Sequence, residues 1–289
     1  YTTPAGTLVC LSVSLSLGWY RIQNSQPMQL AGRTIPSELL YIIPSGLCTA
    51  VVIPTTTLMY SLKGVSVMVA MVIMRGAVIV ISRLVDALQI RLGILKKRVY
   101  WEENVGVVFA LLAVAVTIFF AQGEADKVPF YRSPEAMLIL SAYLVAYAIR
   151  IYIMNYYKNT RPPGTKLDNQ GFFGTEQISA SVALTVGAIL LYTSPTWLGT
   201  DSAGVREFIG AFQAPKAAWP GAAVAGGVFG VVAFFSVFIF MFKGRTATFA
   251  GLVNRLTSLV AGTVATLIAW AALDRRAPKL EDWVSLGLV

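Results

Sequence analysis

The sequence predicts an all-α integral membrane protein, a bundle of ten helices arranged as two inverted repeats of five. Three observations lead to this prediction. Hydrophobic residues make up 56% of the chain and charged residues 13%, and the mean hydropathy is +0.67, which is outside the range of soluble globular proteins. Several apolar stretches are long enough to cross a bilayer. A segment around Lys63 also returns, in altered form, around Lys243.

Eight apolar stretches predict eight membrane-crossing helices, and a further stretch begins near Glu281. The predicted crossings lie at residues 4–20, 37–61, 64–86, 104–121, 134–157, 172–193, 218–241 and 246–273. Most segments between them are short and polar, but residues 194–217 form a longer connection. Within that connection, apolar residues recur at helical spacing over 205–212, which predicts a helix that lies either on the membrane surface or in a solvated loop.

The distribution of charge predicts which loops face the cytoplasm. The formal net charge is +9. When the crossings alternate, loops 21–36, 87–103, 158–171 and 242–245 fall on one side and carry most of the excess lysine and arginine. Such a bias marks cytoplasmic loops. A nucleic-acid-binding face would not alternate with the crossings in this way, so we expect no nucleic-acid partner.

The internal repeat predicts how the crossings are organised. Lys63-Gly64 aligns without a gap on Lys243-Gly244, and Arg75 then aligns on Arg255. The aligned copies begin five crossings apart, an odd number, so they run in opposite directions across the membrane. Inverted repeats of this kind are typical of secondary transporters, which bind their substrate near the middle of the bilayer.

The repeat also sets the predicted domain boundaries. We expect one multi-pass membrane domain over residues 1–289, with the first repeat in 1–121 and the second in 134–289. The final apolar stretch is cut short at Val289, and symmetry requires one more helix before Tyr1. We therefore expect the first helix of the first repeat, and part of the last helix of the second, to lie outside this chain.

Arg75 and Arg255 sit near the middle of their predicted crossings. A charged side chain at the bilayer centre costs about 2.5–3.5 kcal/mol, so such residues generally serve a function. We predict that both arginines line a central cavity and bind an anionic substrate. The alternative is that Glu176 neutralises one arginine and backbone carbonyls satisfy the other, which would lock the bundle.

Neighbouring polar residues are predicted to set selectivity at this site. Asn254 precedes Arg255, Glu176 and Gln177 begin the sixth crossing, and Tyr60 offers a hydroxyl group or a stacking surface. The substrate-binding residues that we predict are therefore Arg75, Arg255, Asn254, Glu176, Gln177 and Tyr60.

Two other arginines are interpreted as structural. Arg83 lies three residues before Asp86, a spacing that predicts an ion pair on one helix face. Arg150 lies close enough to the end of its crossing for its side chain to reach the membrane surface.

Several classes of chemistry are not expected. Histidine is absent, and the two cysteines, Cys10 and Cys48, both lie in apolar segments, so no metal site is predicted. The sequence contains no phosphate-binding glycine loop, no nucleophile motif and no paired catalytic carboxylates. We therefore predict no enzymatic activity and no cofactor, and any transport would proceed by exchange, facilitated diffusion or ion coupling.

Three short stretches carry a family resemblance. They are Leu58–Leu62 with Met74–Ile79, Phe173–Glu176, and Leu252–Leu256. They resemble the drug/metabolite transporter superfamily (EamA-like), and most closely its nucleotide-sugar-transporter-like solute carriers. The resemblance implies ten crossings in an inverted five-plus-five repeat and alternating access, with the substrate between the halves.

The third stretch resembles a family motif that contacts the nucleotide sugar. The chain departs from the family pattern at two places. It has arginine at 255 where that motif has lysine, and Thr175-Glu176-Gln177 where the family usually has a tyrosine-asparagine pair.

Together these observations predict a secondary transporter for a small, anionic organic metabolite, nucleotide-sugar-like or related. The alternative is a transporter-fold protein that serves as an accessory subunit of a larger membrane complex. The expected partners are the anionic substrate and the lipid bilayer, with a membrane-protein complex or a homodimer as a further option. The membrane is either organellar or a bacterial inner membrane.

Overall fold

A computed structural model describes residues 1–23, 27–30, 32–61, 67–121, 133–161, 166–199, 202–273 and Trp283. These residues form mainly helix. The helices are α1 (Thr2–Ser16), α2 (Leu39–Ser61), α3 (Val67–Arg91), α4 (Trp101–Ala121), α5 (Pro134–Thr160), α6 (Asn169–Leu198), α7 (Ala203–Gln213), α8 (Trp219–Met241) and α9 (Ala247–Leu273), and the strands are β1 (Pro27–Leu30) and β2 (Arg33–Pro36). The Lys63-Gly64 turn and the apolar stretch predicted from Glu281 lie outside the described residues, apart from Trp283.

Four of the described helices are long and apolar enough to cross a membrane: α2 over Leu39–Met59, and α5, α6 and α8 over their full lengths. This confirms the prediction of a helical, multi-pass membrane protein in its general form. All eight predicted crossings coincide with helices, although α1 has only 15 residues. The ten-helix inverted repeat stays a prediction.

The loop predicted at 21–36 contains a feature that the sequence analysis does not anticipate. Strands β1 and β2 pair antiparallel, with Leu30 opposite Arg33 and Pro27 opposite Pro36. The two-residue connection uses Gly32 at φ 76°, a left-handed conformation that glycine adopts without steric cost. A proline at each open end lacks an amide donor and so ends the ladder.

By its contacts, the chain divides into two compact units. The first comprises Tyr1–Ile53 and Gly164–Val237, and the second comprises Pro54–Pro163 and Phe238–Val289. Each unit therefore draws segments from both predicted repeats. Helices α2 and α8 each contribute residues to both units. The repeat boundaries at 1–121 and 134–289 stay a prediction.

The first unit is held together by close contacts of small residues. Helix α1 packs against α6. Gly230 on α8 also meets α1 closely, because a Cβ added at Gly230 would lie 2.6 Å from the carbonyl oxygen of Gly6. The thiol of Cys10 donates a hydrogen bond to the carbonyl oxygen of Gly230 at 3.3 Å. Small residues let helix backbones approach where lipid provides no hydrophobic driving force between helices.

The helix predicted within 194–217 is present as α7. The Ser202 hydroxyl caps its first turn by accepting a hydrogen bond from the Val205 amide. Helix α7 packs against α6, and the rings of Tyr192 and Phe212 meet edge to face at 6.2 Å. Whether this helix lies on a membrane surface stays a prediction.

In the second unit, α3 packs against α4, α5 and α9, and α4 also packs against α9. Ile79, Ala110 and Leu252, one from each of α3, α4 and α9, form a buried core. Gly76 lies against Val114 so closely that an added Cβ would come within 2.8 Å of a methyl carbon. The second unit therefore places α3 in contact with three other helices.

Candidate functional site

Arg75 and Arg255 lie on adjacent helices of the second unit, α3 and α9, and both are half-buried. The register between these helices follows from two contacts. Asp86 binds the backbone of Thr248, and Ser82 Oγ would lie 2.6 Å from a Cβ added at Gly251. Moving back along α3 thus corresponds to moving forward along α9, so the helices are antiparallel.

The same register places the two arginines at similar depth. Arg75 lies seven residues before Ser82 on α3. Because Ser82 lies beside Gly251, the position level with Arg75 on α9 is seven residues after Gly251, at Ser258. Arg255 is three residues from that position, or less than one helical turn of about 5.4 Å. The two arginines therefore lie at similar depth on packed helices, and the prediction that they line one cavity stays a prediction.

Arg255 also meets an aromatic ring. Its Cζ atom lies 5.2 Å from the centroid of the Tyr147 ring on α5. Tyr147 is buried and lies 5.2 Å, centroid to centroid, from Tyr143 one turn earlier. A guanidinium group within about 6 Å of a ring face is attracted by the ring quadrupole. This arrangement holds the charge of Arg255 over α5.

Arg150 follows Tyr147 by three residues on α5. Its side chain is buried, with 8% of its surface exposed. The interpretation that Arg150 extends to the membrane surface is therefore not supported by its burial. On α9, Asn254 is half-buried, whereas the Ser258 hydroxyl donates to the carbonyl oxygen of Arg255 at 2.8 Å within the same helix.

Glu176 and Gln177 belong to the first unit, where both are buried on α6. Two hydroxyl groups from α2 donate to Glu176 Oε1, that of Ser45 at 2.5 Å and that of Thr49 at 3.3 Å. Gly46 permits this contact, because a Cβ there would lie 2.7 Å from the carbonyl oxygen of Glu176. The carboxylate is thus bound by hydroxyl groups between two closely packed helices.

The remaining predicted site residue is Tyr60. It lies in the last turn of α2, but its side chain is outside the described part of the structure. The six predicted residues therefore fall into two groups, with Arg75, Arg255, Asn254 and Tyr60 in the second unit and Glu176 and Gln177 in the first. Their joint participation in one site stays a prediction.

A second polar cluster, which the sequence analysis misses, surrounds Asp86 on α3. This carboxylate is fully buried. It accepts hydrogen bonds from the backbone amides of Ala247 at 2.9 Å and Thr248 at 2.6 Å, and from the Thr248 hydroxyl at 2.6 Å. These amides begin α9, so Asp86 satisfies helix-end donors from a different helix and places negative charge at the positive end of the α9 dipole.

The predicted ion pair between Arg83 and Asp86 is wrong. Arg83 Nε donates instead to Asn104 Oδ1 at 2.7 Å, while Asp86 is oriented towards α9 and α5. The physical reason is that two amides and a hydroxyl at a helix N-terminus satisfy more of the carboxylate's acceptor sites than one partly exposed guanidinium would.

Two residues of α5 extend this cluster. Asn155 donates to Asp86 at 3.1 Å and to Gln89 Oε1 at 2.9 Å. Lys158, also buried, donates to the carbonyl oxygens of Phe240 at 3.0 Å and Arg245 at 2.9 Å. Lys158 therefore binds the end of α8, where the helix dipole is negative, while Asp86 binds the start of α9.

Glu103 lies beside the turn between α8 and α9, in the first turn of α4 and ahead of the predicted crossing. It accepts a hydrogen bond from the Thr246 hydroxyl at 2.7 Å. Burial raises the pKa of the Glu103 carboxyl group, and the Thr246 hydrogen bond acts in the opposite direction.

A sequence signal for this cluster exists in the spacing of polar residues. Asp86 and Gln89 are three residues apart at one end of an apolar segment, and Asn155 and Lys158 have the same spacing at the end of another. Such spacing places both residues of a pair on one helix face. The apolar stretch ends at residue 157, so its position alone places Lys158 in a loop.

The described residues contain no group of three or more cysteine, aspartate or glutamate side chains arranged to hold a metal ion. Neither Cys10 nor Cys48 forms a disulfide bond. The chain was compared with protein-family models, with curated proteins and with solved structures, and none of the three comparisons found a match.

Proposed function

We propose that this chain is a secondary transporter for a small, anionic organic metabolite, nucleotide-sugar-like or related, and that it works by alternating access. In this proposal the helices belong to a bundle of ten in two inverted repeats, as the resemblance to the drug/metabolite transporter superfamily implies. Substrate binding must then favour one of two conformations, because a ligand shifts an equilibrium only through different affinities for the two states.

One observation carries the proposal: Arg255 lies over Tyr147, and the register of α3 on α9 implies a similar depth for Arg75. Positive charge on two packed helices of an apolar bundle is a suitable environment for an anion, since guanidinium groups bind carboxylates and phosphates through charge-assisted hydrogen bonds. The Tyr147 ring holds the Arg255 guanidinium group in place through a cation–π contact.

The first experiment identifies the ligand. The purified protein is screened for thermal stabilisation by a panel of anionic metabolites that includes nucleotide sugars, sugar phosphates and dicarboxylates. A ligand at one hundred times its dissociation constant stabilises the native state by about 2.7 kcal/mol. Uptake of the best ligand into proteoliposomes then distinguishes transport from binding alone.

The second experiment tests the residues. Arg255→Gln and Arg75→Gln are each expected to weaken binding of the identified anion by about ten-fold to a hundred-fold, since a hydrogen bond to a charged group is worth about 1.5–3 kcal/mol. Arg206→Gln, in the exposed part of α7, is the matched control and should bind normally. Normal binding and uptake by both Arg75→Gln and Arg255→Gln, in folded protein, would overturn the assignment.

The second candidate function is that of an accessory subunit of a larger membrane complex. It is motivated by the outer face of α8, where a Cβ added at Gly221 would meet no atom within 4 Å and where Val224 and Val228 are exposed. Gentle extraction from the native membrane distinguishes the two candidates. A stable stoichiometric complex without uptake activity favours the subunit, and an active protein purified alone favours the transporter.

A further inference from the structure

Six basic residues of the second unit lie in two separate segments of the chain and are all exposed. We refer to them as the basic patch: Arg91, Lys96, Lys97 and Arg98 at the end of α3 and in the connection after it, and Lys243 and Arg245 in the turn between α8 and α9. The sequence alone assigns both segments to the same side of the membrane but does not place them together.

A direct contact joins the two segments. Lys97 Nζ donates a hydrogen bond to the carbonyl oxygen of Gly244 at 3.0 Å. Gly244 adopts φ 90°, a conformation that favours glycine and turns its carbonyl group towards Lys97. The basic residues on either side, Arg98 and Lys243, are therefore held near one another by a tertiary contact.

The nearby acidic residues leave this patch positively charged. Glu103 is half-buried and accepts a hydrogen bond from Thr246, and Asp86 is fully buried against the start of α9. Glu102 is exposed beside the patch. Among the described residues of these two segments and the start of α4, six exposed cations therefore accompany one exposed carboxylate.

Exposed aromatic side chains occur in the same two segments. Tyr100, Trp101 and Phe242 are 65%, 70% and 63% exposed. Aromatic side chains are enriched at the level of lipid headgroups, where one part of the ring contacts hydrocarbon and the other contacts water. Exposed cations and aromatics in two segments joined by a contact, next to a helix long and apolar enough to cross a membrane, are suited to a lipid surface.

We propose that the basic patch binds the phosphate headgroups of anionic phospholipids at the cytoplasmic membrane surface. Lys97 bound to Gly244 joins the two segments, the flanking cations contact the phosphate groups, and Tyr100, Trp101 and Phe242 insert at headgroup level. A cluster of four to eight basic residues directly beside membrane helices has the charge that such lipids require. The proposal does not depend on the transport function.

The test compares a phosphatidylglycerol with a phosphatidylcholine of the same short acyl chains. Binding of each lipid to the purified full chain is titrated and followed by native mass spectrometry and thermal unfolding. A cation near an anionic surface contributes about 1 kcal/mol, which is about five-fold in affinity. Arg98→Gln combined with Lys243→Gln removes one cation from each segment and should weaken phosphatidylglycerol binding by about twenty-five-fold, leaving phosphatidylcholine binding unchanged.

Two control variants guard against misfolding and against a general charge effect. Arg206→Gln with Lys216→Gln removes one arginine and one lysine from other exposed positions and should bind as the wild type does. Arg98→Lys with Lys243→Arg keeps the charge and should retain most of the affinity. The preference of the wild-type protein for phosphatidylglycerol over phosphatidylcholine should also diminish at high salt.

Three outcomes would overturn the proposal. The first is equal binding of both lipids by the wild-type protein. The second is an equal loss of phosphatidylglycerol binding in the Arg206→Gln, Lys216→Gln control. The third is stabilisation by inorganic phosphate as large as that by phosphatidylglycerol at the same phosphate concentration, because the patch would then bind a free anion and not a lipid surface.

Discussion

Two buried carboxylates, Glu176 in the first unit and Asp86 in the second, obtain their hydrogen bonds in different ways. Glu176 is bound by side-chain hydroxyl groups of Ser45 and Thr49. Asp86 is bound by two backbone amides and one hydroxyl at the start of α9, and by the side-chain amide of Asn155. Hydroxyl groups rotate and find other acceptors, but helix-end amides are fixed in direction. The comparison suggests that Asp86 is the structural carboxylate and that Glu176 is freer to exchange partners.

The largest expected effect distinguishes the two acids directly. Asp86→Asn leaves at least one helix-end amide facing a donor group, so we expect a loss of about 3 kcal/mol in unfolding free energy, because each buried unsatisfied donor costs about 1–3 kcal/mol. Glu176→Gln keeps an acceptor oxygen and two hydroxyl partners that can rotate, so we expect a loss of about 1 kcal/mol or less in unfolding free energy. Thermal unfolding in detergent measures both. Equal losses would remove the distinction.

The next effect concerns the glycine that brings α2 against Glu176. Gly46→Ala forces a Cβ against the Glu176 carbonyl oxygen and Ser179, at distances of 2.7 and 2.5 Å before any adjustment. Overpacking of this kind costs about 1–3 kcal/mol. Gly187→Ala, in an open position of α6, is the matched control and should be neutral or stabilising by up to about 1 kcal/mol. The thermal midpoint should therefore fall for Gly46→Ala and stay unchanged or rise for Gly187→Ala. An unchanged midpoint for Gly46→Ala, or an equal fall in both variants, would contradict the contact.

A smaller effect compares one hydroxyl group in each cluster. Thr248→Val removes a hydrogen bond of 2.6 Å to Asp86, whereas Thr49→Val removes one of 3.3 Å to Glu176. We expect losses of about 1.5 kcal/mol for the former and about 0.5 kcal/mol for the latter, since bonds to charged groups weaken as they lengthen. Thermal unfolding of the two isosteric variants measures both losses. A larger loss for Thr49→Val would contradict the conclusion that the Asp86 hydrogen bond is the stronger one.

The smallest effect depends on pH. Burial raises the pKa of Glu103 above its ordinary value of 4.5, so the folded state binds a proton more tightly than the unfolded state. The resulting contribution to stability is complete below pH 4.5 and is lost as pH rises through the raised pKa. Glu103→Gln cannot titrate, so its stability relative to the wild type should improve with rising pH over this range. Parallel stability profiles for the two proteins would contradict the pKa shift.

The sequence predicts the helices well because the length and apolarity of a membrane crossing are local properties. The predicted crossings at 134–157 and 218–241 differ from α5 and α8 by no more than three residues at either end. The β1–β2 hairpin was missed because its strands have four residues each and lie in a polar loop, where a pattern of alternation is too short to recognise.

The partners of the charged residues could not be predicted, because they depend on which helices are neighbours. Asp86 binds residues about 160 positions later in the chain, and Arg255 meets Tyr147 on another helix. Local spacing instead favoured Arg83 as the partner of Asp86. A sequence indicates which residues of one helix are close enough to pair. Whether Asp86 pairs within its own helix or binds the start of α9 depends on the packing of α3 against α9.

The prolines of α2 have a consequence for Glu176. Pro44 and Pro54 both lie within this helix and cannot donate the amide hydrogen bonds that would otherwise link them to the preceding turn. The turns that end at Pro44 and Pro54 each lack one backbone hydrogen bond, and the two hydroxyl groups that bind Glu176 lie between these prolines. Bending there would draw the hydroxyl groups away from the carboxylate without unwinding the rest of the helix.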